Sequence, residues 1–236
     1  MDQRELTQIK SESLLELPTN KLLDDFGAGR ASPGSGSAAA LLAILSCKMI
    51  ITVSDISLNK QECNKSHKEI SYIKERVVSV IEPRLKVLFE ADARDFDEVV
   101  KLRVLRDQAQ SSADKSNYSR KSLDMLEVAT DYTFEIADKA LTLVEYGISI
   151  FENGWHAIRG DSGVSVSAAM SAVMSCIFII NLNLKTLKRR NYSSRHLDKV
   201  KDLQKSLELM QLRALSCVTS IGSESVEAVQ FELKNT

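Results

Sequence analysis

Apolar positions along this chain recur at helical spacing, and no stretch alternates in the way a half-buried strand would. Ile70, Ile73, Val77, Val80, Ile81, Leu85 and Leu88 form one such stripe over residues 60–90, which Pro83 is expected to kink or divide. Phe96, Val99, Val100, Leu102 and Leu105 carry the pattern over residues 92–109. Two further segments, residues 36–58 and 162–189, are apolar or small on nearly every side and read as core helices. Short helices are predicted for residues 5–16, stopped near Pro18, and 19–26, where Thr19 caps the start and Gly27 supplies left-handed freedom at the end. After a polar break at 110–117, long helices are predicted for 118–152, ending at Asn153-Gly154, and for 194–233 with an interruption near Gly222. The fold class is therefore all-α: one domain spanning residues 1–236, built of long antiparallel helices around a shared bundle core.

Composition narrows the partners. Thirty-one Lys and Arg face 32 Asp and Glu, a net charge of −1, which argues against nucleic acid and against an acidic lipid surface. Residues 38–53 and 164–184 are apolar enough to invite comparison with membrane spans. The first carries Lys48 and is short, the second is broken by Ser, Asn and Cys, so both read as buried helices. The charged start Met1-Asp2-Gln3-Arg4-Glu5 lacks a signal-peptide core. Cys47, Cys63, Cys176 and Cys217 are widely spaced, as expected for reduced, buried thiols in a cytoplasmic protein.

Several nucleotide and metal signatures fail on inspection. Gly27-Ala28-Gly29-Arg30-Ala31-Ser32 lacks a third glycine and a preceding strand, and Gly29 through Ser35 has serine where a phosphate-binding loop needs lysine. His67, His156 and His196 are isolated, so no metal site is expected. Two loops do offer chemistry. Ala31-Ser32-Pro33-Gly34-Ser35-Gly36-Ser37 runs directly into a helix, whose unpaired N–H groups and positive dipole end suit an anionic ligand; a plain cap by Ser35 or Ser37 is the simpler reading. Arg159-Gly160-Asp161-Ser162-Gly163-Val164 places a carboxylate at the start of the second apolar helix, where Asp161 or Ser162 could equally serve as N-cap. Lys60 follows the first apolar helix, and Lys185, Lys188, Arg189, Arg190 and Arg195 cluster around the end of the second.

At these residues the chain resembles a known family. Ser32-Pro33-Gly34-Ser35-Gly36-Ser37-Ala38-Ala39-Ala40 is similar to the Pro-Gly-Gly-Gly-Ser-Val-Ala-Ala loop and helix of the formiminotransferase-cyclodeaminase C-terminal domain and its stand-alone methenyltetrahydrofolate cyclohydrolase relatives. Gly160-Asp161-Ser162-Gly163-Val164 with Asn183-Leu184 resembles the family's Ser-Asp-Ala-Gly-Val-Ala … Ile-Asn-Leu helix. Asn59-Lys60 and the segment from Asp92 to Phe96 add weaker matches, and the whole covers about residues 16–190.

The resemblance implies an all-helical homodimer acting on 5-formimino- or 5,10-methenyltetrahydrofolate as cyclodeaminase (a lyase) or cyclohydrolase (a hydrolase), with no metal or other cofactor. It implies Asp161 as the catalytic carboxylate and Lys60 as a second catalytic group. Ser32, Pro33, Gly34, Ser35, Gly36, Ser37, Ser162 and Asn183 would bind substrate. The 32–37 loop and the Asp161 loop would form two walls of one folate cleft. The alternative is a diverged helical dimer that keeps the bundle and serves as a binding module.

Overall fold

A computed structural model describes residues 13–235. The helix predicted over 5–16 lies mostly outside the described residues; its end, Leu14–Glu16, is a single 3-10 turn. Seven α-helices follow: α1 (Thr19–Gly27), α2 (Ser35–Ser57), α3 (His67–Arg76), α4 (Glu82–Gln108), α5 (Ser112–Asn153), α6 (Arg159–Thr186) and α7 (Asn191–Asn235). No strand occurs among the described residues, so the all-α expectation holds.

The two apolar helices occupy the centre. α2 presents Ala39, Ala40, Ala43, Cys47 and Ile50, and α6 presents Ala169, Ala172, Val173 and Cys176, all fully enclosed. Side chains this small let the two backbones approach closely, and α4 and α5 close the bundle around them. The pair runs antiparallel. Gly34 and Gly36 at the start of α2 line one small cavity with Ile179 and Asn183 near the end of α6. At the opposite end a Cβ on Gly154 would lie 3.1 Å from Ser57 Oγ. Both helices are long and apolar enough to cross a membrane, and 56% of each apolar window is buried within the chain.

Proline's effect at position 83 is gentler than a kink. The α3 and α4 helices are joined through a π turn, Val77–Ile81, and Pro83 falls in the first turn of α4, where its missing N–H costs little. Helix α4 then runs unbroken from residue 92 to Gln108, and α5 starts at Ser112, capped by Ser111 Oγ, which accepts from Asp114 N–H at 3.0 Å. Gly222 does not interrupt α7, which is continuous over 45 residues. The left-handed residue after α1 is Gly29 (φ 70°) rather than Gly27, which is still helical.

One buried charge anchors the α2–α4 contact. Glu82 is only 8% exposed at its side chain, and its Oε1 meets both Lys48 Nζ and Lys86 Nζ at 2.6 Å. Burial pushes its carboxyl upward, but the two ammonium groups outweigh that and hold it below the usual range. A lowered folded value means the stabilisation is present above the ordinary glutamate pKa and is lost as pH falls through the folded one. Lys48→Met should therefore lower stability by about 1 kcal/mol near neutrality. The difference should shrink in urea titrations as pH falls below the ordinary glutamate pKa and through the lower folded one.

Candidate active site

The loop before α2 reaches its geometry by turning its ligands inward. Gly34 is the N-cap residue of α2 but makes no side-chain cap, and neither Ser35 nor Ser37 caps the helix. Instead the carboxylate of Asp92, on α4, sits against the first turn. Ser37 donates to Asp92 Oδ2 from its hydroxyl at 2.9 Å and also from its backbone N–H. Ser32 Oγ donates to Ala93 O at 2.6 Å, tying the loop to the same turn of α4. The approach is close enough that a Cβ on Gly36 would lie 2.2 Å from Asp92 Oδ1. The anion-binding capacity of this helix end is thus met by the chain's own carboxylate.

Asp92 is 4% exposed, and burial raises its pKa above the ordinary 3.8 against the opposing pull of the Ser37 donors. It shares a cavity of about 20 Å³ with Gly34, Ser35, Gly36, Phe96, Thr133 and Asn183, space for a single water. On the outer side of the loop lies an open cleft of about 900 Å³ that includes Ser32 and Pro33. Five carboxylates (Asp25, Glu90, Asp95, Asp97, Glu98) line it against three cations (Arg30, Arg94, Lys101). Each cation already pairs with a cleft carboxylate, Arg30 with Asp25, Arg94 with Asp95 and Lys101 with Asp97. The cleft suits a cationic group better than a polycarboxylate.

The other predicted residues gather at the far end of the bundle. Lys60 Nζ stands 3.9 Å over the ring of Trp155, and the backbone N–H of Trp155 donates to Ser57 Oγ at 2.8 Å. Asp161 lies half-buried in the first turn of α6, which begins two residues before it and leaves it inside the helix rather than at the cap. Ser162 Oγ is buried with no hydrogen-bond partner among the described residues. Asp161 and Asn183 are 22 residues apart on one helix. At 1.5 Å per residue that is about 33 Å, so within one chain they cannot face the same small substrate. The single cleft expected between the 32–37 loop and the Asp161 loop is therefore not formed within this chain. Of the basic cluster, Arg190 is bonded to Asp124 and to Glu127 (2.6 Å), a tie between the start of α5 and the α6–α7 turn. No group of three or more His, Cys, Asp or Glu that could hold a metal occurs among the described residues.

Residues 18–202 match the formiminotransferase-cyclodeaminase family model. The chain belongs to the formiminotransferase-cyclodeaminase family. A crystal structure of formiminotetrahydrofolate cyclodeaminase from Thermotoga maritima superposes with a TM-score of 0.75, covering 88% of this chain and 98% of that one at 15% identity. At that identity the likeness speaks for the shared fold. No match is found among curated proteins.

In this family member Asp92 enters the sequence reading only as the start of a weak family match, with no role in the site. Its signal is present: it stands three residues after Phe89 and four before Phe96, on the buried face of α4 where a carboxylate needs a reason. Ser32, Gly34, Ser35, Gly36, Ser37 and Asn183 do come together with it, whereas Lys60, Asp161 and Ser162 do not.

Proposed function

We propose that this protein is a tetrahydrofolate one-carbon enzyme, closing 5-formiminotetrahydrofolate or hydrolysing the 5,10-methenyl form, and that Asp92 carries its proton transfers. Family membership supports the substrate class. The observation that carries the assignment of the residue is a carboxylate buried against the α2 N-terminus, its pKa raised by burial, beside a cleft rich in acidic groups. In ring closure, N10 adds to the protonated formimino carbon, the C=N electron pair moves onto the departing nitrogen, and the N10 proton ends on it as ammonia leaves. A carboxyl that takes the first proton and returns it to the amine suffices. The carboxylates of the adjoining cleft, on the outer side of the loop, favour the cationic amidinium.

Asp161 and Lys60 are proposed to contribute from a second copy. The solvent face of α6 shows Val164, Met174, Phe178 (67% exposed) and Leu182 (65%), joined by Leu45 of α2, and α6 carries no charged residue from Ser162 to Leu184. Such a face is suited to a homodimer. Antiparallel pairing of two α6 helices about a twofold axis would bring one copy's Asp161 end toward the other's Asn183 end. Phe178→Glu should halve the solution mass by light scattering and leave the helical circular dichroism intact.

The assay is spectrophotometric, following methenyltetrahydrofolate formation and loss with wild type, Asp92→Asn and Asp161→Asn. Turnover that falls in Asp92→Asn supports the site. Unchanged turnover in Asp92→Asn removes it, and full activity in Asp161→Asn removes the second-copy role. The second reading, a binding module without turnover, is favoured by one feature: the cavity at Asp92, about 20 Å³, has room for no more than one water-sized molecule. Wild type that neither accelerates either reaction nor binds folate in calorimetry would remove the enzyme reading and leave this one.

A further inference from the structure

The family match ends at residue 202, yet α7 continues to Asn235. The helix carries two apolar seams on opposite faces. Val200, Leu203, Leu207, Met210, Ala214, Cys217 and Ile221 alternate at spacings of three and four, and all pack on the body. The second seam repeats the same spacing through Leu212, Leu215, Thr219, Gly222, Val226 and Val229, and its four large members are 54–69% exposed. Past Ile221 no described side chain of α7 is buried. Arg159 Nη1 bonds Glu224 Oε1 at 2.8 Å on the body-facing side, and the second seam faces outward, with Leu215 at its edge also lining an apolar cleft beside Phe151, Val166 and Met170.

Gly222 is out of place in a lone helix. It has no left-handed φ, and a Cβ there would meet nothing within 4 Å in this chain. Glycine inside a helix destabilises it, and here no contact within the protomer offsets that.

We propose that the second seam of α7 is a self-association surface, paired antiparallel with the same seam of a second copy. The seam is self-complementary in one register. With the twofold axis between Ser220 and Ile221, Leu212 meets Val229 of the other copy, Leu215 meets Val226, and Thr219 meets Gly222, six layers with larger residues against smaller ones. The missing Cβ of Gly222 admits the partner's Thr219. A parallel pairing would set Gly222 on Gly222 and leave a void. The flanks include Gln211, Ser216, Ser223 and Ser225, so identical chains meet with little like-charge repulsion along the seam. This contact lies beyond the folate reading and beyond α6, and it stands or falls without either.

The test uses the full chain. Light scattering at micromolar concentration should show the Val226→Glu/Val229→Glu protein at half the mass of wild type, with the Phe178→Glu chain as a separate comparison. Both substitutions fall on exposed residues past the body contacts, so the melting of the bundle should not change by more than the association accounts for. Under mild oxidation Thr219→Cys/Gly222→Cys should cross-link into a dimer with 219-to-222 bonds by mass spectrometry, and Gly222→Cys alone should not. A mass unaffected by the two glutamates gives the seam to a different partner and overturns the proposal. Efficient cross-linking of Gly222→Cys alone overturns the antiparallel register.

Discussion

Gly36→Ala is expected to destabilise the protein by about 2–4 kcal/mol, the sum of an overpacked contact and weakened hydrogen bonds to a buried carboxylate. The added methyl would meet Asp92 Oδ1 at 2.2 Å and its Cγ at 2.6 Å. Asp92 cannot swing away cheaply, because it is enclosed and held by Ser37. Moving α2 instead would disturb its packing on α6 along the small residues that let the two helices lie close. For a chain of this size the loss corresponds to roughly 4–16 °C in thermal midpoint. A double-mutant cycle isolates the contact: Gly36→Ala in an Asp92→Ala background should cost less than half as much. Equal cost in both backgrounds would place the strain elsewhere in the loop.

Asp92→Asn separates catalysis from architecture. The amide keeps the shape and can still accept from Ser37, so the fold should survive with a stability change of about 1 kcal/mol or less at mid-range pH. Turnover should fall about 10²–10⁴-fold, the usual contribution of a positioned acid or base. The pH dependence has a definite sign. Because burial raises the folded pKa of Asp92 above 3.8, the native state binds this proton more tightly than the unfolded chain does. Raising pH from 3.8 through the folded value therefore removes stability from wild type and leaves Asp92→Asn untouched by this group. The variant should gain on wild type across that interval and hold its gain above it, which paired urea titrations would read. Parallel curves for the two proteins would mean that Asp92 is not shifted.

Particular residues show how much of this was legible in the chain. The small and apolar residues of α2 and α6 announced two central helices because no other arrangement buries so many Ala and Ser among so few charges. The motif around Gly34 pointed to the family for a physical reason now visible, since Gly36 is where Asp92 enters. Pro83 and Gly222 misled in the same way. Local propensity marks both as helix breakers, but a π turn moves Pro83 into a first turn, and packing up to Ile221 carries α7 through Gly222.

The pattern of apolar spacing by itself determined the helices, their approximate ends and the bundle, because helical periodicity is a property of neighbours three and four residues apart. Which residues share a site was decided only by tertiary structure. Asp161 and Asn183 look like partners as motifs on one helix, yet the rise of that helix separates them by about 33 Å. Asp92 lies 55 residues beyond Ser37, and only the packing of α4 on α2 brings its carboxylate to that hydroxyl. Contact across such separations depends on how helices cross, and spacing along the chain carries no record of it.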